Sequence, residues 1–289
     1  MQLSKKFLLT VSEDYSKFFG VKFISYFFKN KENISLDLIY IAPNPAKTSS
    51  YKHDEIIFSK QLNHQYKNKG VTALKEAKDI LCQHGFQTNQ IQTIFKFQNY
   101  STVTDLIQEA HKGLYDALIL GSRGLSFLEE KIFGSTSKTI LEAEIDFPVW
   151  ICREPDFETK NVLVCLDNSQ ASLRVCDHVG FILQDKPEHN IILTHVQTNK
   201  HQEPTSIFNK ALKEFKNNNF PSTRIQTKLL YGKDVCETIL NFAKKQKIAV
   251  IALGHTGKKE HLFSLFFNSN STLLEIFEQF KNMTLWISK

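Results

Sequence analysis

The residues whose types and spacing best suit chemistry are the glycines Gly121, Gly124 and Gly134 and the hydroxyls that follow, Ser135, Thr136 and Ser137. They form the pattern G-x2-G-x9-G-S, placed directly after the apolar run ALIL. Gly121 and Gly124 permit a turn with positive φ and close approach by a ligand. Gly134 lets main-chain N–H groups face an anion with no Cβ in the way. Ser135 offers a hydroxyl donor. The helix that follows would present its free N–H groups and positive dipole end to the same anion. Arg123 can add a charge-assisted contact. This is phosphate-binding chemistry. The competing reading has the glycines serving tight turns and Ser135 or Thr136 capping a helix.

Other chemistry is sparse. There is no G-x-S-x-G elbow and no Walker loop. His111 falls on a predicted helix with Asp105 and Glu109, where solvation is the expectation. His195, at a strand end, and His255, in a second glycine turn, border a would-be site in the later part of the chain. His53-Asp54-Glu55 reads as a helix start rather than a metal patch. The five cysteines, Cys82, Cys152, Cys165, Cys176 and Cys236, show no CxxC or zinc-ligand spacing. They read as small buried apolar residues of a reducing compartment. Phe208, Phe215 and Phe220 read as core.

The elements that must position these residues occur twice. Residues 115–142 match 248–275 without a gap, so Gly121 pairs with Gly254 and Gly124 with Gly257, 133 positions on. Phe7–Val11 matches Val162–Leu166 at an offset of 155, and FPVWICR at 147–153 matches MTLWISK at 283–289. The first copy therefore carries about 22 extra residues, which lengthen the helical stretch from Asp54 to Gly85. Short apolar runs predict strands at 6–11, 36–42, 91–97, 115–120 and 147–152, then at 161–166, 190–196, 224–230, 248–253 and 283–288. Helices are predicted between them, including Thr102–Lys112 after the cap Ser101 and Val235–Lys245 after Asp234. Alternating strands and helices imply parallel sheets, which bind ligands beyond the carboxyl ends of their strands. The fold class is thus α/β, with two tandem domains at 1–153 and 161–289. Each is a five-stranded parallel sheet flanked by helices, and the polar stretch Glu154–Lys160 links them.

The segment DALILGSRG…FGSTSKTILEAEIDFPVWICR resembles the C-terminal half of a universal stress protein domain. In the second copy, VLVCLDNSQAS and YGKDVCETILNFAKKQKIAVIALGHTG resemble other stretches of that family. The resemblance implies a Rossmann-like, adenine nucleotide hydrolase-like fold and ATP binding, with or without Mg2+. It implies that Gly121, Gly124, Gly134 and Ser135 contact triphosphate and ribose. Ile41 and the main chain of Thr10, Val11 and Ser12 would lie against adenine. Ser12 replaces an acid of the family. In the second copy Asp167 and Val196 keep the adenine side, but Phe267 and Asn268 replace Gly134 and Ser135. The second copy is therefore not expected to bind ATP in the family manner, and Asp167 is left as an Asx turn or cap. The resemblance also implies pairing through C-terminal strands, giving an internal pseudo-dimer or a homo-oligomer.

Composition bounds the rest. The 289 residues carry 36 Lys and Arg against 30 Asp and Glu, a net +6 spread among acids. No basic stripe suggests nucleic acid. The N-terminus lacks a signal-peptide pattern, and no run approaches the roughly 20 apolar residues of a membrane span. A cytoplasmic regulatory protein binding an adenine nucleotide, at most a slow ATPase, is the leading expectation. A non-nucleotide scaffold acting through protein contacts is the alternative.

Overall fold

The computed structural model describes residues 4–14, 18–45, 53–121, 147–198, 205–254 and 282–288, with backbone alone for 53–58. All ten predicted strands form. The first five are β1 (Lys5–Thr10), β2 (Ile34–Ala42), β3 (Ile91–Phe97), β4 (Ala117–Leu120) and β5 (Val149–Cys152). The second five are β6 (Asn161–Cys165), β7 (Ile191–Gln197), β8 (Ile225–Tyr231), β9 (Ile248–Gly254) and β10 (Thr284–Ser288). They make one ten-stranded sheet in the order β3-β2-β1-β4-β5-β10-β9-β6-β7-β8. Neighbours within each five are parallel, and only β5 and β10 pair antiparallel.

The helices are α1 (Phe19–Phe27), α2 (His53–Gln83), α3 (Thr102–Gly113), α4 (Gln170–Leu183), α5 (Thr205–Asn217) and α6 (Val235–Lys245). Their ends follow local chemistry. Ser101 Oγ accepts from Thr104 N at 3.0 Å to start α3, and Leu114 ends it in the left-handed region at φ 51°. Asp234 starts α6 by accepting from the N–H groups of Cys236 and Glu237, both at 2.9 Å. The Arg224 guanidinium donates to the carbonyls of Leu183, Gln184, Lys186 and His189, closing the end of α4. The extra residues of the first copy lie where expected, since α2 has 31 residues and its counterpart α5 has 13.

The two faces of the sheet are covered differently. On one face a single apolar core runs through both halves and collects α1, α2, α4 and α5 side chains. On the other face two separate cores form, one under α3 around Leu106 and Ala110 and one under α6 around Ile239 and Ala243. Phe215 and Phe220 are buried in the shared core, with Phe208 packed against it, as expected.

The seam between the halves sits in the shared core. Trp150 and Trp286 lie opposite each other in the antiparallel pair. Their rings stack 3.9 Å apart at an interplanar angle of 4°, and both are fully buried. The Trp150 indole N–H donates to His178 Nε2 at 3.0 Å. Burial pushes the His178 imidazole down to about 3, so the ring is neutral and can accept. Over the stack the contacts are reciprocal. Lys5 pairs with Asp185. Lys160, 155 positions after Lys5, donates to the carbonyls of Tyr26 and Phe27 at the end of α1. Lys186 Nζ donates to Asn30 O at 2.9 Å, and Lys29 N donates to Glu188 Oε1 at 2.7 Å. The connection at 154–160 is therefore anchored rather than a loose tether; Phe157 also packs on Tyr26, with ring centroids 4.1 Å apart.

Two outcomes follow from the seam. Trp150→Ala removes one plate of the stack and the His178 donor, and is expected to cost about 3–5 kcal/mol in urea denaturation. The second concerns pH. Unfolded His178 takes a proton below its ordinary value of 6.5, but the folded ring does not until about pH 3. Stability present at neutral pH is therefore lost as pH falls, by about 1.4 kcal/mol per unit from this group. His178→Gln keeps an acceptor and should lose about 2 kcal/mol less than wild type between pH 7 and 5.

Candidate functional site

The carboxyl edge of the first half is where the sequence places its chemistry. Here β1 has β2 on one side and β4 on the other, so the chain leaves β1 in one direction and later returns to its other side. Such a switch in strand order opens a crevice. The register sets the level of each residue. Leu9 lies beside Ile119, Thr10 lies beside Ile39, and Val11 N donates to Ile39 O at 2.9 Å. Val11 and Ser12 thus leave the sheet next to Gly121 on one side and the last turn of β2, with Ile41, on the other. Val11 is buried, while Ser12, Ile41 and Gly121 are partly open to solvent. Thr10 Oγ1 donates to Ile119 O at 3.2 Å and ties β1 to β4 at this edge.

The start of α1 closes on the same point. A Cβ on Gly20 would stand 2.7 Å from Leu9 Cδ1 and 3.7 Å from Gly121 N, so bare backbone lets the helix approach. Beyond Ser12, the Glu13 carboxylate accepts from the Tyr40 hydroxyl at 2.7 Å and lies 3.5 Å from Lys69 Nζ. This acid on the loop after β1 escaped the sequence reading. Its partners come from β2 and from the lengthened α2, which only the fold brings near. Of the predicted site residues, the structure gathers Val11, Ser12, Ile41 and Gly121. Arg123, Gly124, Gly134, Ser135 and Thr136 lie outside the described residues.

The equivalent edge of the second half is occupied by the protein's own hydrogen bonds. Asp167 Oδ1 accepts from Ser169 N at 2.9 Å and from Ser169 Oγ at 2.6 Å. Ser169 Oγ in turn accepts from Ser172 N at 3.1 Å, capping α4. Asp167 is therefore the Asx turn that the sequence left open. His195 Nδ1 lies 2.8 Å from Leu166 O, a contact that fixes the ring to the end of β6. Lys210 Nζ donates to Asn168 Oδ1 at 2.9 Å. His255, Phe267 and Asn268 lie outside the described residues, as do the side chains of His53, Asp54 and Glu55. His111 is exposed and packs edge-on against Phe147, with centroids 5.2 Å apart.

Gly254 explains itself without a ligand. A Cβ there would stand 2.2 Å from the carbonyl carbon of Ala171 and 2.4 Å from Ser172 N. The end of β9 runs against the first turn of α4, and a side chain would collide with main chain. The requirement is close approach, not positive φ; among the described glycines Gly85, at φ 94°, is the one in the left-handed region.

No protein-family model matches this chain, and no curated protein does. Its likeness is to solved structures. A universal stress protein from Archaeoglobus fulgidus DSM 4304 matches with a TM-score of 0.68 at 14% identity, over 99% of this chain and 97% of that one. A protein of Pseudomonas aeruginosa UCBPP-PA14 matches with a TM-score of 0.55 at 12% identity, over 100% and 94%. A functionally unknown protein of Pseudomonas aeruginosa PAO1 matches with a TM-score of 0.53 at 13% identity, over 100% and 93%. The architecture is thus that of a two-domain α/β chain with the universal stress protein fold along its whole length. Among the described residues no helix is long and apolar enough to cross a membrane.

Gly254→Ala is expected to destabilise the chain by about 1–3 kcal/mol, because rigid backbone must move to admit one methyl group. Thermal unfolding with and without nucleotide checks it. The loss should be the same in both, since the role of Gly254 is packing.

Proposed function

We propose that the chain is a regulatory protein of the universal stress protein type that binds one adenine nucleotide at the carboxyl edge of its first half. The observation that carries this reading is the gathering of Val11, Ser12, Ile41 and Gly121 around the switch between β1 and β4. The Ile41 side chain, half-open on the face covered by α3, suits one face of a base. Main-chain groups near Ser12 suit its edge. Gly121 begins the glycine sequence that would cradle phosphates, with Gly124, Gly134, Ser135 and Thr136 completing it and Arg123 adding charge. ATP, with or without Mg2+, is the ligand this arrangement suits. Any hydrolysis would be slow, since the sequence shows no nucleophile–base constellation. The same reading divides the chain into domains at 1–153 and 161–289 and assigns nucleotide binding to the first. It also places the protein in the cytoplasm.

A second reading has a specific observation behind it. Ser12 stands where the resemblance implies an acid, and the neighbouring Glu13 is engaged by Tyr40 and Lys69. A chain that has given up that contact can act as a scaffold through protein contacts alone.

Calorimetry with ATP separates the two. Wild type is expected to bind with a stoichiometry near one, and Gly134→Phe to weaken binding at least tenfold while its melting temperature without ligand stays close to wild type. Wild type that releases no heat and shows no thermal shift with ATP supports the scaffold. Unchanged affinity in Gly134→Phe would place the nucleotide elsewhere.

A further inference from the structure

We propose that Cys165 and Cys236 form a peroxide-sensitive thiol pair at the carboxyl edge of the second half. Cys165 is the last residue of β6, the strand between β7 and β9. Its side chain lies on the face covered by α6, in one buried cluster with Val196 and Leu230 and with Ile239 and Ala243 of that helix. Cys236 packs against the same cluster. It opens the sheet-facing stripe of α6, one turn before Ile239 and two before Ala243, as helical periodicity requires. Because α6 follows β8, its first turn stands at the carboxyl edge, level with the end of β6. Strand end and helix start thus set both thiols against one buried cluster. The burial that raises the Cys165 thiol is reinforced first by Cys236, ahead of Asp167. Both cysteines are in the reduced state in the structure.

Their exposures assign different roles. Cys236, half-buried in the first turn of α6, is the thiol that peroxide can reach; Cys165 is buried. The Cys236 thiolate attacks hydrogen peroxide: an S–O bond forms, the O–O bond breaks, and the departing hydroxide takes a proton to leave as water. The Cys165 sulfur then attacks the sulfenic sulfur. The S–S bond forms, the S–O bond breaks, and the hydroxyl leaves as water with the Cys165 proton. In sum, two thiols lose two electrons and one peroxide becomes two waters. A dithiol reductant reverses the change by exchange. At the aligned positions of the first half stand Thr10 and Val103, so the device belongs to the second half alone.

The test uses the full-length chain. After brief peroxide treatment, the denatured protein is alkylated and its peptides are mapped by mass spectrometry. Two of the five thiols should be lost to alkylation, joined as Cys165–Cys236, and both should return with dithiothreitol. Cys165→Ala should leave Cys236 as a sulfenic acid that dimedone labels, and Cys236→Ser should abolish the loss. The wild-type map stands alone if a variant fails to fold. Five alkylatable thiols after treatment, a link to Cys82, Cys152 or Cys176, or undiminished loss in Cys236→Ser each overturn the proposal.

Discussion

The stack of Trp150 on Trp286 is the contact on which the architecture turns. Two large, flat, apolar surfaces cover each other at the one antiparallel step of the sheet. Without that step each half would expose an edge strand and an apolar flank of its shared-face core. An exposed edge invites pairing with another chain. Here the invitation is answered inside the molecule. The arrangement has the self-complementarity of a two-fold interface, with the Lys5 and Lys160 contacts as reciprocal partners across it. The symmetry is broken at the indoles. Trp150 has an acceptor in His178, whereas the aligned residue in the first half is Phe23, and Trp286 Nε1 is buried with no hydrogen-bond partner among the described residues.

The antiparallel step also governs function. It turns the carboxyl ends of the two halves in opposite directions while their amino-terminal ends meet over the stack. Buried charges mark that meeting place. Burial acts to raise the Asp185 carboxyl, but the hydrogen bond and charge of Lys5 outweigh it, so it stays below the ordinary carboxylate range. Burial lowers Lys186, and Asp185 offsets part of that effect. A charge this buried is tolerated because each has a partner across the seam. With the two carboxyl edges separated, a change at one need not disturb the other. The second half could replace its glycine loop and tie Asp167 and His195 into its own backbone while the fold remained intact.

The glycine turns show how one residue type can serve two purposes. Gly254 is needed because helix α4 touches the strand end; this would hold in a protein that bound nothing. A glycine at the same aligned position in the first half, Gly121, has α1 nearby through Gly20. Glycine after the fourth strand is thus first a packing requirement, and the proposed phosphate binding would build on it. What distinguishes a cradle is the later Gly134-Ser135 pair, where the two copies differ.

Read alone, the sequence determined the ten strands, the caps Ser101 and Asp234, the long insertion in α2 and the repeat itself. These rest on short-range rules: apolar runs, capping side chains and aligned segments are local, and local preference agrees with the fold throughout. It also set Val11, Ser12, Ile41 and Gly121 at strand ends, where the structure has them; their ligand is what the resemblance implied. Only the tertiary structure decided that the halves share one core face, that Glu13 is held by Tyr40 and Lys69, that Asp167 is a turn, and that Lys5 finds Asp185. Those partners lie far apart along the chain, and the periodicity of a segment says which face it buries but not whose face it meets.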